Sequence, residues 1–142
     1  VVDVAVVEVE RATGRVEILD YVSVHDAGRL LNPLIAEGQV RGGLAHGVGA
    51  ALLERVAYDE DGNLLTASFV DYLCATAPDL PRPRLGHRES PSPFMPLGAK
   101  GLGEGTTMSA PAALANAVAD ALGRDDVELP MTPPRVWEVL SR

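Results

Sequence analysis

The sequence predicts an α+β fold, in which β-hairpins and a mixed sheet pack with two or three helices. The first 24 residues alternate between apolar, mostly valine, and polar side chains on both sides of a turn at residues 11–15, as strands of a hairpin do. Helix-start signals follow at residues 32–33 and 132–134, where an N-cap residue precedes proline. Residues 111–122 carry apolar side chains at helical spacing and end at a glycine.

Size and charge restrict the possible functions. The chain has 142 residues, of which 46% are hydrophobic, so it can build the core of one domain. The net charge of −8 argues against a nucleic acid or an anionic membrane as partner. No apolar stretch is long enough to span a bilayer, and no signal-peptide pattern opens the chain. The single cysteine, Cys74, excludes an internal disulfide; we expect it to be a small buried residue. These observations favour a cytoplasmic location.

The predicted hairpin consists of residues 1–10 and 16–24. Because the chain opens inside the first strand, we expect a fragment or a split subunit. Alternation places four apolar residues of the second strand on one face, namely Val16, Ile18, Val22 and Val24. For His25, at the end of this strand, a surface or hydrogen-bonded role is favoured over a catalytic one. Asp26 precedes Gly28, as in a turn where the carboxylate accepts from the backbone ahead.

A helix is predicted from residue 33 to residue 54, although residues 38–49 contain five glycines. Each glycine costs about 1 kcal/mol relative to alanine in a helix interior. Either the helix breaks near Gly38, or something approaches so closely that side chains would clash. The pairs Gly38/Gly42 and Gly43/Gly47 have the four-residue spacing that tight helix packing uses.

The remaining elements are shorter. Residues 55–58 and 64–69 are predicted to form a second hairpin around a turn at residues 59–63, and residues 84–89 a short strand. The segment between them, 70–83, is irregular. A helix is expected from near Ser109 to Leu122, with Pro111 in its first turn.

A glycine-rich loop, residues 98–107, is the most unusual stretch. Its lysine, Lys100, is followed by glycine where a Walker P-loop needs Ser or Thr, and its glycine spacing does not match the dinucleotide fingerprint. The predicted helix behind it would favour an anion or carboxylate at its N-terminus. One carboxylate, Glu104, stands among the glycines. From the residues alone it is either a general base or a solvated or capping side chain.

Three motifs together resemble the molybdenum hydroxylase family, which includes xanthine dehydrogenase, aldehyde oxidase and aerobic carbon monoxide dehydrogenase. They are Asp26-Ala27-Gly28-Arg29-Leu30-Leu31-Asn32-Pro33, Gly38-Gln39-Val40-Arg41-Gly42-Gly43 and Gly98-Ala99-Lys100-Gly101-Leu102-Gly103-Glu104. Their order and separation are also similar. The resemblance implies that residues 1–142 are the C-terminal part of the large, molybdopterin-binding subunit, and that this fragment is inactive alone.

The resemblance also implies roles for single residues. Glu104 matches the active-site glutamate, which is the general base of a hydroxylation whose oxygen comes from water. Gln39 matches the glutamine that hydrogen-bonds the pterin or the molybdenum ligands, and bare backbone at Gly38 would let the cofactor approach. The loop segment beside the cofactor would be Lys100, Gly101, Leu102 and Gly103. No side chain is predicted to bind the metal.

The implied cofactor is molybdopterin, as the cytosine dinucleotide or a similar form. FAD and [2Fe-2S] clusters are expected on partner subunits: an FAD-binding medium subunit and a [2Fe-2S] small subunit, beside the remainder of the large subunit. The implied substrate is small: an aldehyde, an N-heterocycle or a CO-like molecule. Two alternatives remain, a non-catalytic binding or assembly module that retains the fold and a stand-alone phosphate-binding domain.

Overall fold

A computed structural model describes residues 1–142. Its strands and long helices are β1 (Val2–Val9), β2 (Val16–His25), α1 (Pro33–Val48), β3 (Arg84–His87), α2 (Gly105–Leu122) and α3 (Pro133–Leu140). β2 is the central strand of a mixed sheet, antiparallel to β1 and parallel to β3. The predicted α+β class, a mixed sheet packed with two or three helices, is therefore confirmed, and the helices number three. None of the helices has the length and the apolar content needed to cross a lipid bilayer.

A bulge in β2 changes which side chains face the core. Leu19 has no partner on β1, because the register of the antiparallel pair shifts there. Before the bulge, Val16 and Ile18 pack against the core, whereas beyond it Tyr21 is buried and Val24 is 40% exposed. The prediction that the apolar residues of this strand share one face is therefore wrong, since one extra residue reverses the alternation.

The core lies between the inner face of the sheet and the helices. Its buried members are Tyr21, Leu44, Val48, Ala51, Leu52, Ala110, Leu114, Val118, Met131 and Val136. Two glycines of α1 allow α1 and α2 to approach closely. A Cβ on Gly47 would lie 2.6 Å from the Cβ of Ala110, and one on Gly43 would lie 3.2 Å from the Cβ of Thr106. Helix packing thus explains these two glycines, and the helix does not break near Gly38.

Two helix boundaries differ from those predicted. α1 ends at Val48 and continues as a π-helical turn, Gly49–Leu53, so the predicted helix is correct except for its last turn. α2 begins at Gly105 rather than near Ser109, and Pro111 therefore lies inside the helix. The early start has a tertiary cause, because side chains of the first turn bond to the sheet, as described below.

The segment between α1 and β3 has little regular structure. The predicted second hairpin is reduced to one bridge, between Tyr58 and Leu64. Its turn is confirmed, since Asp59 Oδ1 accepts from the backbone N–H of Asn63 at 2.8 Å. The predicted strands are wrong because Tyr58 and Leu64 are both exposed and have no core to cover. Cys74 is also exposed, and the prediction of a buried residue is wrong.

Candidate functional site

The first part of the glycine loop is attached to the chain that follows β2. Arg29 N–H donates to the carbonyl of Gly98 at 3.1 Å, and Lys100 N–H donates to the carbonyl of Ala27 at 2.8 Å. Gly28 lies between these bonds with φ of +60°, and a Cβ there would lie 2.1 Å from the carbonyl oxygen of Gly98. Only glycine both adopts this positive φ readily and leaves room for the Gly98 carbonyl at position 28.

Asp26 connects three segments around the same loop. Its carboxylate accepts from the backbone N–H of Gly28 at 2.9 Å and of Ser90 at 3.1 Å, and from the ammonium of Lys100 at 3.0 Å. The bond from Gly28, followed by that from Lys100, holds the pKa of Asp26 well below its usual range. The predicted turn role of Asp26 is confirmed. The ammonium of Lys100 is paired within the chain, which the sequence reasoning did not predict.

Gln39 lies on α1 beside the other part of the loop. Its side chain is exposed, and a Cβ placed on Gly103 would lie 4.0 Å from Gln39 Oε1. An open groove of about 260 Å³ passes here, lined by residues from the 27–36 segment, by Gln39 and by residues of the 99–102 segment. The fold therefore brings together parts of the chain that are far apart in the sequence.

The second pair of glycines in α1 is not explained by packing. A Cβ on Gly38 or Gly42 would meet no atom within 4 Å, and the same is true of Gly101 in the loop. At about 100° per residue, positions 38, 39 and 42 fall on one side of the helix, roughly opposite the face that packs on α2. Bare backbone and the Gln39 amide thus share an open surface.

Glu104 occupies the N-cap position of α2, with φ of −92° and ψ of −6°. Its backbone carbonyl accepts from Met108 N–H at 3.1 Å, but its carboxylate makes no hydrogen bond and is exposed. A side-chain capping role is therefore excluded. The carboxylate stands at the positive end of the α2 dipole, free for a group outside the chain.

A buried polar network lies beneath this helix end, and sequence reasoning missed it. His25 is 5% exposed, and its Nε2 lies 2.9 Å from Ser23 Oγ and 3.3 Å from Thr106 Oγ1. The carboxylate of Asp3 accepts from the hydroxyls of Ser23 and Ser109. Burial lowers the pKa of His25, with the charge of Asp3 opposing, so the imidazole is neutral near pH 7. The hydrogen-bonded strand-end interpretation of His25 is confirmed.

Residues 1–81 match the family model described as the molybdopterin cofactor-binding domain. The chain belongs to this family. It is 46% identical to the nicotine 6-hydroxylase large subunit of Paenarthrobacter nicotinovorans, covering 92% of this chain and 16% of that protein. It is 36% identical to the carbon monoxide dehydrogenase large chain of Hydrogenophaga pseudoflava, covering 96% of this chain and 17% of that protein.

Solved structures agree with this assignment. The quinoline 2-oxidoreductase of Pseudomonas putida 86 superposes with a TM-score of 0.93 at 42% identity, covering 97% of this chain and 18% of that chain. A Cu,Mo-CO dehydrogenase superposes with a TM-score of 0.90 at 35% identity, covering 94% of this chain and 17% of that chain. The chain thus spans less than a fifth of the length of these relatives.

The predicted site residues of this member of the molybdopterin-binding family fall into two groups. Gly38, Gln39 and Gly103 lie at the open surface where α1 meets the loop, and Glu104 follows at the start of α2. Lys100 differs, because its ammonium is turned to Asp26. The bare backbone and the exposed amide fit a large polar cofactor, since such a group needs close approach and hydrogen-bond partners.

Proposed function

We propose that this chain is the C-terminal part of the molybdopterin-binding domain of a molybdenum-dependent hydroxylase, and that Glu104 is its general base. The observation that carries the proposal is the open surface that Gln39, Gly38 and Gly103 share beside an unpaired Glu104 carboxylate. A helix with two unpacked glycines loses stability for no gain within this chain. A cofactor lying against that backbone supplies the missing reason.

The proposed roles follow from the chemistry of each group. The Gln39 amide would donate to and accept from cofactor oxygens and nitrogens, and the backbone of Gly101, Leu102 and Gly103 would border the cofactor. Lys100 would act mainly by holding the loop through Asp26. No three His, Cys, Asp or Glu side chains come together in a metal-binding group, so the molybdenum would be carried by the cofactor.

The cofactor, when bound, supplies the two-electron oxidation chemistry. Glu104 would take up the proton released from the oxygen nucleophile at a carboxylate oxygen, which makes no hydrogen bond within the chain and is therefore free to accept it. The remainder of the large subunit would cover the exposed carboxylate and exclude water. This arrangement makes the chain inactive by itself.

We also propose the substrate class and the partners. Nicotine and quinoline, named in two of the relatives, are both N-heterocyclic, so an N-heterocycle is the first substrate to test, before an aldehyde or a CO-like molecule. The names "large subunit" and "large chain" belong to the relatives. By analogy, this chain would work with an FAD-binding medium subunit and a [2Fe-2S] small subunit, with molybdopterin cytosine dinucleotide or a similar form as cofactor.

The direct test is Glu104→Gln in the native assembly. The amide keeps the size of the side chain but cannot take up the proton. We expect molybdenum content near that of the wild type and turnover lower by about 10²–10⁴-fold, the usual contribution of a general base. Molybdenum would be measured by elemental analysis and turnover with an N-heterocycle and an artificial electron acceptor.

Glu60→Gln is the matched control, because Glu60 is an exposed glutamate in the turn after α1 and should leave turnover unchanged. Normal turnover in Glu104→Gln would contradict the general-base role. A wild-type assembly that contains no molybdenum would contradict the cofactor assignment and favour a binding or assembly module.

A further inference from the structure

Two histidines occupy neighbouring positions where the sheet ends. In the parallel pairing of β2 and β3, His25 lies opposite His87. The chain leaves β2 at this point and runs directly into the 26–29 segment, to which the glycine loop is attached. The His87 imidazole contacts Gly28, to which the start of the loop is bonded, and the His25 imidazole contacts Thr106, just beyond its end. Neither contact belongs to the roles proposed above.

His87 supports the first end of the loop. Its Nε2 lies 3.0 Å from the carbonyl oxygen of Gly28, which can only accept, so Nε2 carries the proton and donates. Gly28 forms an isolated antiparallel bridge with Ala99, and its neighbour Arg29 donates to Gly98. The imidazole therefore fixes the peptide against which the loop begins.

His25 supports the second end, and a count of protons assigns its tautomer. The Ser23 hydroxyl uses its single proton on the carboxylate of Asp3, so the Ser23 oxygen must accept from His25. His25 Nε2–H therefore lies between Ser23 Oγ and Thr106 Oγ1, at 2.9 and 3.3 Å. Thr106 is fully buried in the first turn of α2, two residues after Glu104.

We propose that His25 and His87 are positioning residues that hold the two ends of the loop between Gly98 and Glu104. His87 fixes where the loop leaves the 26–29 segment, and His25, with Asp3, fixes where it enters α2. Between these points the Lys100 ammonium is paired with Asp26, whereas a Cβ on Gly101 would meet no atom within 4 Å. Its shape, and with it the direction of Glu104, depends on the two ends.

The inference deepens the proposed function, on which its catalytic consequence rests, but the loop geometry can be measured without turnover. Three backbone amides report on the two ends. Arg29 N–H and Lys100 N–H bond across the first end, and Met108 N–H bonds to the carbonyl of Glu104 at the second. Their hydrogen-exchange rates in the native assembly, read by mass spectrometry, measure how often each end opens.

Each histidine variant should speed hydrogen exchange only at the end of the loop that the histidine supports. We expect His25→Ala to speed exchange at Met108 by about tenfold, the effect of losing one buried hydrogen bond, without a change at Arg29 and Lys100. His87→Ala should give the reverse pattern. His25→Gln, whose amide can donate from the place of Nε2, should restore most of the protection at Met108.

Two further variants complete the set. Thr106→Val keeps the shape of the side chain without its hydroxyl, and should reproduce the His25→Ala pattern even where the alanine variant folds poorly. Thr13→Val is the control, because it removes an exposed hydroxyl bonded to Glu10 in the hairpin turn. This variant should leave the hydrogen-exchange rates at both ends of the loop unchanged.

The activity measurement separates positioning from general stability. With molybdenum content near normal, His25→Ala should lower kcat at least about tenfold with little change in KM, since small displacements of a reacting group are costly, and His25→Gln should recover it. Faster exchange spread evenly over the chain, or unchanged exchange at Met108 in both His25→Ala and Thr106→Val, would overturn the inference. Full turnover in Glu104→Gln would remove the proposed function while leaving the exchange result intact.

Discussion

At the scale of single residues, Gly28 shows how one position controls the site. It combines a positive φ with contact against the carbonyl of Gly98, so a side chain would strain the backbone and also push the loop away. The Asp26 carboxylate accepts from the same residue and from Lys100. The turn and the loop are therefore one unit, and a change at residue 28 reaches the loop 70 positions later.

Gly28→Ala should be more destabilising than a positive φ alone explains. The left-handed backbone costs a side chain about 1–2 kcal/mol, and the overlap with Gly98 adds to it. The free energy of unfolding from urea titration measures the sum. Gly62→Ala is the matched control, because Gly62 has φ of +83° and open space around its Cβ position. Equal losses in the two variants would show that the contact with Gly98 is unimportant.

At the scale of elements, α1 uses glycine for two different purposes. Gly43 and Gly47 let it pack closely on α2, whereas Gly38 and Gly42 leave backbone open on another side. The two pairs are separated by roughly 140° around the helix, at 100° per residue. Glycine at four-residue spacing therefore serves helix packing in one pair, and in the other pair we assign it to close approach of the cofactor.

Alanine substitutions should separate these roles. Gly47→Ala places a Cβ 2.6 Å from that of Ala110 and should lower the unfolding free energy by about 1–3 kcal/mol, as overpacking does. In Gly38→Ala the new Cβ would have no atom within 4 Å, so the substitution should raise the unfolding free energy by about 0.5–1 kcal/mol, because alanine favours the helix. Thermal and urea unfolding of the chain would measure both.

The molybdenum content of the assembled protein then tests the second role. If the cofactor lies against Gly38, the variant that stabilises the chain should bind less molybdenum. A normal molybdenum content in Gly38→Ala would contradict close approach at this position. Gly123→Ala cannot serve as the control for a glycine in a helix interior, because Gly123 ends α2 with φ of +63° and alanine would strain the backbone there.

At the scale of the whole molecule, one face of the sheet is exposed and apolar. Val2, Val4 and Val6 of the edge strand β1 are 65%, 55% and 49% exposed, and Val24 of β2 pairs with Val2 on the same face. Exposed apolar edge strands favour association between chains. The net charge of −8 opposes it through repulsion.

The isolated chain should therefore self-associate more as salt concentration rises, since salt screens the repulsion. The double variant Val4→Thr, Val6→Thr should reduce this association while leaving the unfolding midpoint nearly unchanged, because neither side chain faces the core. Sedimentation velocity at several protein concentrations measures the effect. Val56→Thr, an exposed valine outside the sheet, is the control, and an equal reduction there would exclude the sheet face as the cause.

Signals within a few residues allowed the sequence to determine the elements and the family. Asn32 starts α1 as predicted, its side chain accepting from Ile35 N–H at 3.1 Å, and Gly123 ends α2 in the left-handed region. The three motifs likewise resemble the molybdopterin-binding family, and the match of residues 1–81 to the family model confirms that resemblance. The helix boundaries depend on residue type and spacing alone, and the family follows from the resemblance of three short motifs, all of which a single sequence contains.

Only the tertiary structure decided how these pieces meet. The bulge at Leu19 turned His25 inward, and bonds from the sheet to Thr106 and Ser109 extended α2 up to Glu104. The pairing of Lys100 with Asp26 joins residues 74 positions apart. The physical reason is the same in each case. The stabilising contacts are made with residues distant in the sequence, and no local sequence pattern predicts which distant residue a side chain will contact.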